Sequence, residues 1–190
     1  NPATNSAAVR DVFRLNFRDH GTTHHLNREI FHSCRIDEVV GAVRDVSRRY
    51  GERPLSVAGF SLGGNFALRV ALRAPAAGIP LHGVVAVCPA IHPPHILREM
   101  EKGPRIYHAY FMLKWRESLR RKQRLFPQDY AFDQRFLGQR MRALTAELIG
   151  RHTEFESVDA YFDGYSIRGD RLAAMQVPCA ILTAHDDPII

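Results

Sequence analysis

Residues 55–65 read Leu55-Ser56-Val57-Ala58-Gly59-Phe60-Ser61-Leu62-Gly63-Gly64-Asn65. An apolar, strand-like run ends in Gly-x-Ser-x-Gly, and residues 62–73 then read as a helix. In a chain with 13 glycines such a pattern arises by chance only about 0.04 times. A sharp turn from strand to helix forces the serine into strained backbone angles. A side chain two residues before or after it would then strike neighbouring backbone, so Gly59 and Gly63 are both expected to be required. The turn holds the serine Oγ above the sheet at a helix N-terminus, where the dipole and free N–H groups favour developing negative charge. The competing reading is an ordinary Gly-rich turn between a strand and a helix.

The flanking segments repeat the same alternation of strand and helix. Residues 11–17 alternate apolar and polar positions and read as a strand, followed by the turn Arg18-Asp19-His20-Gly21 and a polar loop over 22–33. Ile36, Val39, Val40, Val43 and Val46 recur at helical spacing, with Asp37 and Glu38 in the first turn and Arg48 and Arg49 in the last. Residues 83–88 form a nearly continuous apolar run, as expected of a parallel strand covered on both faces. Residues 177–183 supply a further strand. The order predicts an α/β fold with a mostly parallel sheet and right-handed crossovers.

Between the last two strands lie about 85 residues, far more than a crossover needs. Residues 90–175 are therefore read as a helical cap at the carboxyl edge of the sheet, where α/β ligands bind. Residues 1–89 and 176–190 make up the sheet-bearing core. Within the cap, Leu137, Met141, Leu144 and Leu148 form an amphipathic series. Tyr107, Tyr110, Phe111 and Trp115 also fall at helical spacing. Their plainer reading is helix packing, and their functional reading is an apolar wall for an acyl chain.

Hydrophobic residues make up 45% of the 190 residues and charged residues 24%, the balance of one globular domain. Long disorder, a collagen repeat and a disulfide mini-protein are excluded, and no apolar run approaches the length of a membrane span. The net charge is +6. Its one dense run, Lys114, Arg116, Arg120, Arg121, Lys122 and Arg124, reads as a solvated helix face, with attraction to an anionic membrane surface as the alternative. Cys34, Cys88 and Cys179 are odd in number and match no zinc or redox spacing, which fits a reducing, cytoplasmic setting.

A serine hydroxyl needs a base, itself oriented by a carboxylate, and on this architecture the chain order is serine, acid, histidine. Residues 177–183 lead into Ala184-His185-Asp186-Asp187-Pro188. Asp187 is the preferred acid and Asp186 the alternative. His92 and His95, at the start of the cap, are the internal candidates for a base. His20, His24, His25 and His32 cluster in sequence but match no metal-ligand pattern, so they read as a polar loop and no metal is expected.

The chain resembles the α/β-hydrolase superfamily, and within it the YheT-like group of carboxylesterases. The resemblance rests on Asn16-Phe17-Arg18-Asp19-His20-Gly21, Phe31-His32-Ser33, the elbow at 59–65, Tyr161-Phe162-Asp163 with Tyr165-Ser166, and residues 184–188. It implies a serine hydrolase acting on acyl or lipid-like esters through an acyl-enzyme; the alternatives are an acyltransferase or thioesterase on the same fold, or a non-catalytic α/β-hydrolase scaffold used for binding. Ser61 would be the nucleophile, Asp187 the acid and the Leu62 N–H one oxyanion-hole donor. No cofactor and no nucleic-acid partner are implied. Peripheral membrane contact is compatible with it, and the oligomeric state stays open. In that family the second oxyanion donor precedes anything present here and the catalytic histidine follows Asp187. The chain is thus expected to be a hydrolase core incomplete at both ends, without its catalytic His and nearly inactive alone.

Overall fold

The computed structural model describes residues 11–51 and 53–190. Helix α1 spans Ile36–Arg49, strand β1 Leu55–Phe60, helix α2 Leu62–Arg73 and strand β2 Leu81–Val87. Helices α3 (Pro93–Lys102), α4 (Arg105–Leu125), α5 (Gln134–Leu137), α6 (Met141–His152) and α7 (Val158–Tyr165) follow, and strand β3 (Cys179–Leu182) closes the series. The three strands are parallel and lie in the order β1-β2-β3, with Ala58 opposite Val85 and Val85 opposite Ala180. The α1, β1 and α2 boundaries are those that apolar periodicity and dipole-matched charges dictate. The amphipathic series splits between α5 and α6, and all four of its members are buried.

Helix α2 covers one face of the sheet. Val84 and Ala86 of β2 pack there with Ala67, Leu68 and Ala71 of α2, and α1 closes over Phe66 and Val70. The opposite face corrects the expectation of a strand covered on both sides. Phe60 is 73% exposed, Leu182 and Val85 also face solvent, and no described residue covers them. A continuous apolar run records that a strand suits burial; it does not supply the layer that buries it.

Residues 11–17 form no strand. Their alternation supplies two faces, but a strand also needs a neighbour to complete its hydrogen bonds, and among the described residues β1 pairs only with β2. Instead Asp11 pairs with Arg53, Phe13 lies against Tyr50, and the Phe17 ring packs 4.5 Å from that of Phe66.

Helices α3–α7 enclose a second apolar cluster, including Leu97, Met112, Leu144, Leu148 and Phe162. Ile30, from the loop before α1, joins it. That loop is less irregular than its composition suggests, because a buried ion pair organises it. Asp19, at φ 57°, accepts from Lys122 Nζ at 2.9 Å and from the Phe31 N–H at 2.9 Å. Lys122 also donates to the carbonyls of Asn27 and His24, at 2.6 and 3.3 Å. Lys122 is only 1% exposed. The basic run 114–124 is therefore not one solvated face: Lys122 is buried, Arg121 donates to the Gly21 carbonyl and Arg116 to that of Gln139.

Removing one partner of a buried pair leaves an uncompensated charge, so Lys122→Met should lower unfolding free energy by about 3–5 kcal/mol. Lys114→Met, at an exposed site, should change it by under about 0.5 kcal/mol. Urea unfolding of the two variants checks this contrast.

His32 supplies a pH test. Its ring is buried, its Nδ1 has no partner among the described residues, and desolvation pushes its pKa down from 6.5 to about 4. The unfolded chain therefore takes up this proton first, and stability present above pH 6.5 is lost as the pH falls toward 4. The loss from this site is roughly 3 kcal/mol. In urea titrations, His32→Phe should flatten most of that part of the profile relative to wild type.

Candidate active site

Ser61 sits between β1 and α2 at φ 48° and ψ −118°, a backbone conformation that L residues rarely adopt. Its own backbone groups hold it there. The Ser61 N–H donates to the Val87 carbonyl at 2.9 Å, and the Ser61 carbonyl accepts from the Ala90 and Asn65 N–H groups, both at 3.1 Å. One residue thus joins the ends of β1 and β2, the loop after β2 and the first turn of α2. Ser61 is exposed, and its hydroxyl makes no hydrogen bond to a described residue. The Leu62 N–H, first in the 12-residue α2, has no hydrogen-bond partner among the described residues. An unpaired N–H beside an exposed hydroxyl at a helix N-terminus suits an incoming oxyanion.

The glycines do not divide the steric work as the motif suggests. A Cβ on Gly59 would fall 2.2 Å from the Gly63 carbonyl oxygen, so glycine is obligatory there. A Cβ on Gly63 would meet nothing within 4 Å, which corrects the expectation that both flanking glycines are required. Gly64 is the second tight position: its Cβ would lie 3.1 Å from both the Gly59 carbonyl oxygen and Pro89 Cβ.

Asp187 lies just past β3, two strands from Ser61 on the same carboxyl edge. Its Oδ1 accepts from the N–H groups of Ile189 (2.9 Å) and Ile190 (3.1 Å). The Ile189 N–H, then the Cys88 thiol and the Ile190 N–H, hold its carboxyl below the usual carboxylate range against a smaller opposing effect of desolvation. Asp186 is exposed and makes none of these bonds. Cys88, which reads from sequence as part of an apolar strand, instead follows β2 at φ 42°, where its N–H donates to the Leu182 carbonyl at 2.7 Å.

None of the ten histidines shares a hydrogen bond with Ser61. His95 Nδ1 is engaged by Arg98 at 2.7 Å. His92 precedes α3, and burial depresses the pKa of its ring. His24 bonds the Ser118 hydroxyl, His20 the Arg18 carbonyl and His25 the Thr22 carbonyl. His20, His24 and His25 thus each bond a different partner.

Several residues that position the site escape sequence reading. Asn65 is fully buried, and its side-chain amide donates to the carbonyls of Ala90 and Tyr165, both at 2.8 Å. It thereby ties the elbow helix to the loop after β2 and to the end of α7. Its Oδ1 accepts from Arg69, which also donates to the Ser33 carbonyl at 2.8 Å. Burial lowers the Arg69 pKa to about 10, which leaves the guanidinium charged at neutral pH. Tyr161 accepts from the Ser33 N–H and donates to its hydroxyl. In the sequence, Asn65 closes the elbow segment 59–65, while Ser33 and Tyr161 fall within Phe31-His32-Ser33 and Tyr161-Phe162-Asp163. A concavity of about 450 Å³ lies in the helical layer, lined by Asp133, Phe136, Glu147 and Arg151 among others. None of its lining residues belongs to the elbow or the acid turn.

A family model described as alpha/beta hydrolase fold matches residues 2–173. The chain belongs to the α/β-hydrolase-fold family. The match includes Ser61 and most of the helical insertion but stops before Asp187. No curated protein and no solved structure matches the chain. Family membership points to hydrolase chemistry on a small-molecule substrate.

The elbow gives a graded steric test. Gly59→Ala should prevent folding to a stable monomer. Gly64→Ala should destabilise by about 1–3 kcal/mol through overpacking against Pro89. Gly63→Ala should leave stability unchanged or raise it by up to about 1 kcal/mol, since alanine is the better helix former. Thermal and urea unfolding of the three variants measures the order.

Proposed function

We propose that this α/β-hydrolase is a serine carboxylesterase of the YheT-like group, cleaving acyl or lipid-like esters through an acyl-enzyme. The observation that carries the reading is the strained, exposed Ser61 beside the unpaired Leu62 N–H. Ser61 Oγ attacks the ester carbonyl, and a base takes its proton. The Leu62 N–H and a second donor hold the oxyanion, the base returns the proton to the departing alcohol, and water releases the acid. Losing one oxyanion donor typically slows such reactions by ~10²–10³.

Asp187 is the acid that orients the base. Its low pKa keeps it ionised at neutral pH, as a group stabilising an imidazolium must be. The base is a histidine, and among the described residues no histidine hydrogen-bonds the Ser61 hydroxyl. The functional unit pairs a core (1–89 and 176–190) with a cap (90–175). The apolar cluster among helices α3–α7 is distinct from the two around the sheet, which supports that division, with Ile30 and Ile167 the buried residues that cross it. No metal or organic cofactor enters the mechanism.

A panel of matched oxygen esters, thioesters and alcohol acceptors, assayed with the full-length protein, tests this reading. Oxygen-ester hydrolysis should dominate. Ser61→Ala should abolish it, and Asp187→Asn should lower kcat by at least about 10³ while Asp186→Asn changes it less than threefold. Dominant thioester cleavage or transfer to alcohols would reassign the acceptor. Turnover that survives Ser61→Ala would reject the mechanism.

A further inference from the structure

We propose that the helical insertion carries an anion site, separate from the elbow, that receives the phosphate monoester of an organic alcohol. The site emerges once the internal partners of the basic run 114–124 are assigned. Lys114 pairs with Glu117, Arg116 donates to the Gln139 carbonyl, Arg121 to that of Gly21, and Lys122 is buried on Asp19. The side chains of Arg120 and Arg124 are exposed and form no ion pair or hydrogen bond among the described residues. They lie one turn apart on α4, so both guanidiniums leave the same face of the helix. That face opens on a concavity of about 330 Å³ lined by Arg120, Gln123, Arg124, Phe132, Gln134 and Leu137.

The lining holds two cations and no carboxylate. Gln123 Oε1 accepts from the Phe132 N–H at 2.7 Å, which commits the oxygen and leaves the amide NH2 without a partner among the described residues. The nearby carboxylates are engaged elsewhere. Glu117, one turn before Arg120, is held by Lys114 at 3.2 Å, and Asp129 by Arg28 at 2.7 Å. Asp133 accepts from the Phe136 N–H at 2.7 Å. The other concavity of this layer differs: it sets Asp133 and Glu147 against Arg135 and Arg151, and Glu147 pairs with Arg151.

This donor set selects the ligand. Two guanidinium forks on adjacent turns offer more donors than one carboxylate can accept, whereas a phosphate presents three terminal oxygens. Phe132 and Leu137 are buried and form an apolar floor suited to the organic part of an ester. The walls are preformed. Leu119 and Lys122 fix α4 from behind, and the Phe132 ring stacks 4.9 Å from that of Phe136. No lining residue belongs to the elbow or the acid turn, so the proposal stands independently of the esterase chemistry.

The test is a titration of the 15N-labelled full-length protein with phenyl phosphate, followed by backbone and arginine side-chain N–H shifts. The shifts should saturate and cluster on residues 120–124 and 132–137, and binding should weaken with salt. Phenyl phosphate should bind at least about tenfold tighter than inorganic phosphate because of the apolar floor. Arg120→Gln/Arg124→Gln should lose at least about tenfold in affinity. Arg44→Gln/Arg48→Gln removes an equally spaced, exposed pair from α1 and should bind as wild type does. Circular dichroism should show both variants folded, because the replaced side chains are exposed. Sedimentation with phosphatidylcholine vesicles containing phosphatidic acid separates the two sources of the monoester. Vesicle binding lost in the Arg120/Arg124 variant makes it a lipid headgroup; binding of phenyl phosphate without vesicle binding makes it a soluble ester. Equal affinity for inorganic phosphate, equal losses in the two double variants, or shifts that never saturate would overturn the proposal.

Discussion

The backbone of Ser61 is the constraint on which the rest of the structure depends. A non-glycine residue at φ 48° and ψ −118° costs about 1–3 kcal/mol and persists only where its surroundings over-determine it. Three backbone hydrogen bonds do so here, linking Ser61 to Val87, Ala90 and Asn65. Gly59 and Gly64 allow the strand and helix to approach closely enough for those bonds to form, with Pro89 packed against Gly64. The same geometry turns the hydroxyl outward and leaves the Leu62 N–H unpaired. Strain, packing and the exposure of the hydroxyl at this point therefore share one cause.

From the elbow the order spreads through buried polar contacts rather than apolar ones alone. Asn65 carries it to Ala90 and Tyr165, while Arg69, Ser33 and Tyr161 carry it to the loop before α1. The Ile91 carbonyl accepts from the Ile167 N–H, so the two ends of the helical insertion meet beside the elbow. Lys122 and Asp19 fasten the far side of the insertion to the same loop. Groups buried this way are costly unless satisfied, and that cost fixes where the helices sit over the sheet edge.

The sequence made the local structure legible and the partners largely illegible. The α1, β1 and α2 segments could be read directly because period, capping charges and the glycine turn agree about each of them. Residues 11–17 carry a strand's alternation but have no neighbouring strand among the described residues. The run 114–124 showed charge without showing that Lys122 reaches an aspartate 103 positions away. Tyr107, Tyr110 and Phe111 had helical spacing, yet spacing fixes a face and not its direction; these rings point to solvent. At the site, Gly59 and Ser61 were legible from their motif. The roles of Gly64, Asn65 and Cys88 needed three-dimensional contacts. The family match ends at residue 173, so it covers the Ser61 segment and not that of Asp187.

The central claim is that this elbow makes Ser61 a nucleophile. Treating the full-length protein with a fluorophosphonate and mapping the adduct by peptide mass spectrometry tests it most directly. The expected result is a single phosphonylated residue, Ser61, with no adduct in Ser61→Ala. An adduct on another residue, or labelling undiminished in Ser61→Ala, would contradict the account.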